Sequence, residues 1–190
     1  KLTEYDMPEI MHGDRKHWGA GAEGCRRSQL GALCEARDAG LKSVLILEDD
    51  VVLRDRLELE DVQYNNFGEI LEKFMSDVPS DWDMLYLGGN YRGQILGHIG
   101  GMVHRVNSLT THAYAVSSKA FDRVINAAVA YNKPVDLIYA EEVHPHCNTY
   151  GASPRIAAQE DGVSDIMQER VDHRGITGAV GGDWDKTGDD

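Results

Sequence analysis

Short runs rich in apolar residues recur along the chain and are typical of buried strands. They cover the ranges 43–47, 84–87, 110–116 and 155–158. The run at 43–47 follows a Gly/Lys turn and holds four consecutive apolar residues, which predicts a strand covered on both faces by other elements.

Between these runs, apolar residues recur three and four positions apart, which predicts amphipathic helices. The predicted helices cover 24–39, 67–78 and 118–133. Gly40 and Pro79 are expected to end the first two, and Ser117 or Ser118 to cap the third. Strands that alternate with helices in this way predict an α/β fold with a mostly parallel sheet flanked by helices.

Three consecutive carboxylates, Glu48, Asp49 and Asp50, directly follow the run at 43–47. Burying an unpaired carboxylate costs several kcal/mol, so these acids should emerge at the carboxyl end of the strand. Ligands of open α/β sheets bind at that edge, and clustered oxygen ligands suit Mg²⁺ or Mn²⁺. The triplet therefore predicts a cation site that could meet a diphosphate. A solvated loop or the first turn of a helix is the alternative.

Composition and charge narrow the class of protein. The chain has 190 residues, enough for one domain, expected over 1–174, with a Gly- and Asp-rich, mobile tail at 175–190. A formal charge of -13 argues against a nucleic-acid partner, and no apolar run approaches the ~20 residues of a membrane span.

Three cysteines without a CxxC pair and the absence of a signal peptide predict reduced thiols and a cytoplasmic location.

Several separated motifs resemble those of one enzyme family, glycosyltransferase family 25, which includes lipooligosaccharide and procollagen galactosyltransferases. They agree with the family in order and spacing over roughly residues 20 to 167. The motifs are Gly24-Cys25-Arg26-Arg27-Ser28-Gln29, Leu45-Ile46-Leu47-Glu48-Asp49-Asp50, Trp82-Asp83-Met84-Leu85-Tyr86-Leu87-Gly88, the segment Thr111 to Ser117, Pro134-Val135-Asp136, and the closing segment from Pro154 to Ile166.

This resemblance implies a GT-A fold, a UDP-sugar donor and inverting transfer of a hexose to a hydroxyl of a glycan or glycoprotein. It also implies that the acidic triplet is the counterpart of the family's Asp-x-Asp motif. Asp50 would then bind Mn²⁺ or Mg²⁺, and Glu48 would lie near the same metal or the donor's ribose. Asp49 would belong to the donor site.

The chain departs from the family in two places. Gln29 stands where the family usually has His, and the family's first strand, which carries basic residues near the nucleotide base, has no counterpart. Both departures favour an alternative function, a non-catalytic GT-A-like module that binds a sugar or a partner. A GT-A-like nucleotidyltransferase is a further alternative, but the Gly-rich basic segment it would need near the N-terminus is missing from this sequence.

Inverting transfer also needs a base for the acceptor hydroxyl. Asp136 is the candidate because it follows a proline turn and matches the family's Pro-Val-Asp, while helix capping is its alternative role. Asp165 and Glu141 are held in reserve.

Further candidates come from turns and basic residues. Arg27, with Arg26, could reach the nucleotide from a helix N-terminus or form a solvated surface pair. Gly88 and Asn90 end the second strand, where the amide could bind a sugar hydroxyl or only form a turn. His112 is expected in the core.

The sequence does not assign the remaining metal ligand. His144 and His146, two residues apart around a proline, could chelate a metal or form a polar loop, and His173 is a further candidate.

Overall fold

The computed structural model describes residues 20–91, 97–160, 162–164 and 169–171. Its helices are α1 (Ala20–Asp38), α2 (Phe67–Asp77), α3 (Phe121–Ala130) and α4 (Val135–Ile138), which continues into a π-helical turn at Tyr139–Val143 and a 3-10 turn at His144–His146. Its strands are β1 (Ser43–Leu47), β2 (Val51–Leu53), β3 (Leu57–Leu59), β4 (Val62–Tyr64), β5 (Met84–Tyr86), β6 (Asn90–Tyr91), β7 (Gly97–Gly100), β8 (Val103–Arg105), β9 (Ser108–Leu109), β10 (Ala113–Ser117), β11 (Thr149–Ala152), β12 (Ala157–Gln159), β13 (Gly162–Ser164) and β14 (Glu169–Val171).

A six-stranded sheet in the order β1-β10-β5-β11-β8-β7 forms the centre of the fold. Only the β5–β11 pair in this sheet is parallel, so the prediction of a mostly parallel sheet was wrong. The physical reason is the position of β10. The crossover through α2 leaves β1 and β5 running in the same direction, but β10 lies between them and runs the opposite way.

The strand β1 lies at the edge of this sheet and not in its interior. Ile46 faces the core at 8% exposure, whereas Leu45 and Leu47 on the opposite face are each 44% exposed. The expectation that this strand is covered on both faces was therefore wrong. Within the described part of the chain, the apolar run of β1 packs against other residues on one face only.

Helices cover the two faces of the sheet unequally. One face packs against α1, α3 and α4 through a cluster that includes Leu33, Tyr114 and Val124. The other face packs against α2, whose Ile70 and Phe74 are fully buried. The molecule is thus a mixed α/β sandwich with its acidic segment at the edge of the central sheet.

Residues next to the helix ends show what starts or stops each helix. Gly40 adopts φ +67° just after α1, a left-handed conformation that ends the helix as expected. Asn66 caps α2 by accepting from the backbone N–H of Glu69. The expected serine cap of α3 is wrong, because Ala120 occupies the N-cap position without a side-chain hydrogen bond.

Some expectations concern residues that the structure does not describe. Asp165, His173 and the tail at 175–190 lie outside the described residues. Within the described part, no helix is both long and apolar enough to cross a lipid bilayer. Cys25, Cys34 and Cys147 are all free thiols, as predicted.

Candidate functional site

Glu48 is held at the end of β1 by side chains from three other segments. Its Oε1 accepts from Gln29 Nε2 of α1 at 2.8 Å and from Thr111 Oγ1 at 3.0 Å. Its Oε2 lies 3.4 Å from Gln159 Nε2 of β12. The carboxylate is therefore a fixed part of the structure and not a solvated loop residue.

Burial raises the pKa of Glu48 above its usual range, and the nearby carboxylates of Asp50 and Asp136 raise it further, against the hydrogen bond from Thr111. The same surroundings act on Cys25, whose Sγ lies 3.7 Å from Glu48 Oε1. Burial and then the Glu48 charge raise the pKa of this thiol to about 12. The thiol therefore stays protonated and is a poor nucleophile at neutral pH.

The carboxylates of Asp50 and Glu48 both lie within reach of the side-chain amide of Gln159. The side-chain nitrogen Nε2 of Gln159 donates to Asp50 Oδ2 at 3.1 Å while it also reaches Glu48 Oε2. The second oxygen of Asp50, Oδ1, is buried, and the described residues offer it no hydrogen-bond donor. Two carboxylates that share one neutral amide donor, one of them with an unpartnered oxygen, fit the oxygen-ligand chemistry of Mg²⁺ or Mn²⁺.

Thr110 and Thr111 connect this pair of carboxylates to Asp136. The backbone N–H of Thr110 donates to Asp136 Oδ2 at 3.4 Å, and its Oγ1 accepts from the N–H of Asn90 at 3.3 Å. Thr110 has φ +65°, a left-handed conformation that costs a β-branched residue ~1–3 kcal/mol. The structure thus brings four predicted residues, Glu48, Asp50, Asn90 and Asp136, into one hydrogen-bonded region.

Asp136 lies in the first turn of α4, and the N-cap position belongs to Pro134. Its Oδ1 accepts from the N–H of Leu137 at 2.8 Å. The side chain is half-buried. The proposed capping role is therefore not that of the N-cap residue, although the carboxylate does bind a backbone N–H of the same turn.

A row of hydroxyl groups continues from the acidic region into the core. Tyr114 donates to Gln29 Oε1 at 2.9 Å and lies 3.3 Å from the hydroxyl of Tyr139. Burial raises the pKa of both phenols, so they remain neutral donors. Gln29 thereby joins Glu48 to the helical face of the sheet, a role that needs a side chain with both a donor and an acceptor.

The glycine turn after β5 is set by close packing. A Cβ on Gly88 would lie 1.9 Å from the carbonyl oxygen of Ala157 and 3.0 Å from His112 Nε2. A Cβ on Gly89 would lie 2.2 Å from Ser108 Oγ. His112 is fully buried, as expected. The contacts of Gly88 therefore give it a packing role between β5 and β12.

The two arginines of α1 lie in different surroundings. Arg26 is 1% exposed and donates to Ala128 O at 2.6 Å, which ties α1 to α3. Arg27 has a 60% exposed side chain and pairs with Glu23 at 2.5 Å. Arg27 is thus solvated, but Arg26 is a core residue, so the alternative of a solvated Arg26–Arg27 surface pair was wrong.

The remaining candidate ligands lie apart from the acids. His144 is buried, with Nε2 3.0 Å from the hydroxyl of Tyr86 and Nδ1 3.3 Å from Asn107 Oδ1. Burial lowers its pKa to about 3. His146 is exposed, and Glu141 pairs with Lys133 at 2.7 Å on the surface. His144 is thus a core residue, whereas His146 and Glu141 lie on the surface.

A polar cavity lies beyond the other end of β2. Its volume is about 280 Å³. The residues that line it are Arg54, Arg56, Leu57, Glu58, Gln63, Tyr64 and Asn65. They include two arginines, a tyrosine and two residues with side-chain amides. Planar polar groups beside an aromatic ring are suited to a hydroxyl-rich ligand.

Sequence reasoning missed Thr110, Thr111 and Gln159 as site residues. The last two fall inside motifs that carry the family resemblance, so a signal for them was present. The left-handed backbone of Thr110 has no signature in its residue type. Among the described residues, no group of three or more His, Cys, Asp or Glu side chains is placed to hold a metal ion.

Comparison with protein-family models and with curated proteins finds no match for this chain. The resemblance to glycosyltransferase family 25 therefore rests on its sequence motifs alone.

Proposed function

We propose that this domain is a glycosyltransferase that moves a hexose from a UDP-sugar to a hydroxyl of a glycan or glycoprotein, with inversion and with the help of Mn²⁺ or Mg²⁺. The observation that carries the proposal is the convergence of Glu48 and Asp50 on one donor at the end of β1. The sequence motifs of family 25 support the same function and a GT-A type of fold.

Asp50 and Glu48 would hold the cation. Mg²⁺ and Mn²⁺ accept one or two protein carboxylates and take their other ligands from water and substrate phosphates, so a site with few protein ligands suits a diphosphate substrate. When bound, the cation neutralises charge on the departing nucleoside diphosphate. The buried, unpartnered Oδ1 of Asp50 is the oxygen best placed to contribute.

Asp136 would accept the proton of the acceptor hydroxyl. Its two oxygens already accept from the N–H groups of Thr110 and Leu137, which fixes the orientation of the carboxylate and leaves a lone pair on each oxygen. Asn90, whose backbone N–H donates to Oγ1 of the same threonine, would bind a donor hydroxyl through its side-chain amide. The cavity beside Tyr64 is a candidate for the acceptor glycan.

A non-catalytic sugar- or partner-binding module is the second candidate function. One observation favours it: Glu48 already accepts from Gln29 and Thr111 and lies within reach of Gln159, a pattern that also suits a purely structural carboxylate. Such a module would bind a glycan without releasing UDP from a UDP-sugar.

Calorimetry with UDP, in the presence of MnCl₂ and then of EDTA, tests the proposal. We expect binding with Mn²⁺ that EDTA abolishes. Asp50→Asn should lose this binding while its melting temperature stays near that of the wild type, because the residue contributes a ligand and not core packing. Asp55→Asn, in the exposed segment after β2, is the matched control and should bind as the wild type does.

Two outcomes would count against the proposal. Equal UDP binding with and without Mn²⁺ would remove the cation site. Glycan binding without any release of UDP from UDP-glucose or UDP-galactose would support the non-catalytic module instead.

A further inference from the structure

A pair of histidines lies across the β7–β8 hairpin, at the edge of the sheet opposite to β1. His98 and His104 are direct cross-strand partners in this antiparallel pair. His98 Nδ1 lies 3.4 Å from His104 Nε2, with ring centroids 4.7 Å apart. Two ring nitrogens from opposite strands therefore lie close together at the surface of the protein.

This separation matches the spacing of two imidazole ligands on one metal ion. Zinc–nitrogen bonds of about 2.0–2.1 Å at a tetrahedral angle place the two nitrogens roughly 3.4 Å apart. The nitrogen–nitrogen separation that chelation requires is therefore present, and the rings would need to turn only so that both nitrogen lone pairs face the ion.

The hairpin is rigid around the pair. The backbone N–H of Met102 donates to Asp77 Oδ2 at 3.0 Å, which ties the turn to α2. Gly101 has φ +52°, and a Cβ there would lie 2.1 Å from the same carboxylate oxygen. Val103, next to His104, is fully buried in the core. Preorganised ligands lose less conformational entropy when they bind.

The two nitrogens of the His104 ring lie in different surroundings. Its Nε2 faces His98. Its other nitrogen, Nδ1, is buried and has no hydrogen-bond partner among the described residues.

We propose that His98 and His104 form a binding site for a borderline divalent transition metal of the Zn²⁺, Ni²⁺ or Cu²⁺ class. Imidazole ligands favour these ions over Mg²⁺ and Mn²⁺, which favour the carboxylates at the far side of the sheet. Because the described residues supply no third protein ligand, water completes the coordination. A reversibly bound ion would hold the two strands of the edge hairpin together.

Calorimetric titration of the full chain with ZnCl₂ tests this site. The wild type is expected to show a site that His98→Gln weakens by roughly tenfold or more, since loss of a ligand should cost at least as much as loss of a residue that supports one. His98 is exposed, so this variant should keep its fold. His104→Gln should give the same loss from the other strand.

His146→Gln, at an exposed histidine in the 3-10 turn, is the matched control and should leave zinc affinity unchanged. Millimolar Mg²⁺ should not compete for the site. Zinc binding of equal strength in the wild type and in His98→Gln would overturn the proposal, because the ion would then be held by other groups, such as thiols. The absence of zinc binding in the wild type would overturn it as well.

Discussion

At the scale of single residues, Glu48 shows how a buried charge is accommodated. Desolvation disfavours its charged form, and direct donors from Gln29 and Thr111 offset part of that cost. The donors come from α1 and from the segment before β10. Desolvation of a carboxylate remains costly even with these partners, and such a cost is more typical of a ligand-binding residue than of a surface acid.

The role of Asp136 can be separated from its alternatives with one variant. Asp136→Asn removes the charge but keeps the side chain's size, so UDP affinity in Mn²⁺ should be nearly unchanged. Transfer should fall on the order of 10² to 10⁴-fold, the usual contribution of a positioned base. The measurements are UDP affinity by calorimetry, the transfer rate and the melting temperature.

Glu141→Gln is the control for Asp136→Asn, since Glu141 is exposed and paired with Lys133. Retained transfer together with a lower melting temperature would show that Asp136 only stabilises the turn at α4. Weaker UDP binding in Mn²⁺ would make it a metal ligand.

At the scale of secondary-structure elements, local signals sufficed for most of the helices and for the strands β1, β5 and β10. The apolar run at 43–47 coincides with β1, and Phe67 is the first residue of α2 as the spacing predicted. The pairing of the strands and their relative directions could not be predicted in the same way. The opposite direction of β10 depends on contacts between residues far apart in sequence, which periodicity does not encode.

Elements without a clear apolar pattern were missed. The strand β11 contains Thr149 and Gly151, and the β7–β8 hairpin is rich in glycine and histidine. Gly151 is required there because a Cβ would lie 2.6 Å from the hydroxyl of Tyr91. Contacts of this kind arise only after the sheet has formed, so the sequence alone marks them as loop.

Gly88→Ala tests the packing of β5 against β12. The added Cβ would meet the Ala157 carbonyl oxygen at 1.9 Å, and a backbone atom cannot rotate away as a flexible side chain can. We expect a loss of at least about 1–3 kcal/mol in the free energy of unfolding, measured by urea denaturation.

Gly31→Ala, in the middle of α1, is the control for Gly88→Ala. Apart from the local backbone of α1, no atom of the described residues lies within 4 Å of the new Cβ, so the higher helix propensity of alanine should stabilise the protein by about 0.5–1 kcal/mol. An unchanged urea midpoint for Gly88→Ala would show that β12 can shift freely and that the turn is not constrained by this contact.

At the scale of the whole molecule, the buried His144 and the partly buried Glu48 shape the dependence of stability on pH in opposite ways. The lowered pKa of His144 means that the unfolded chain binds a proton more readily, so stability is lost as the pH falls below 6.5 towards about 3. The raised pKa of Glu48 means that the folded chain binds a proton more readily, so stability is lost as the pH rises above 4.5.

The contribution of His144 can be measured directly. Between pH 6 and pH 4, it should lower the free energy of unfolding by about 1.4 kcal/mol for each pH unit. His144→Gln should remove this part of the slope in urea denaturation, whereas His146→Gln, at an exposed position, should keep it. An identical slope in the wild type and in His144→Gln would show that His144 becomes protonated without unfolding.

The pairing of β1 with β10 has a consequence for synthesis of the chain on the ribosome. Leu47 pairs with Ala113 and Ser43 with Ser117, so the apolar run emerges long before its partner exists. At about 5–20 residues per second, the nascent strand waits on the order of 3–15 seconds for β10. During that interval, Glu48, Asp49 and Asp50 act as charged gatekeepers that oppose association of the exposed run with other nascent chains.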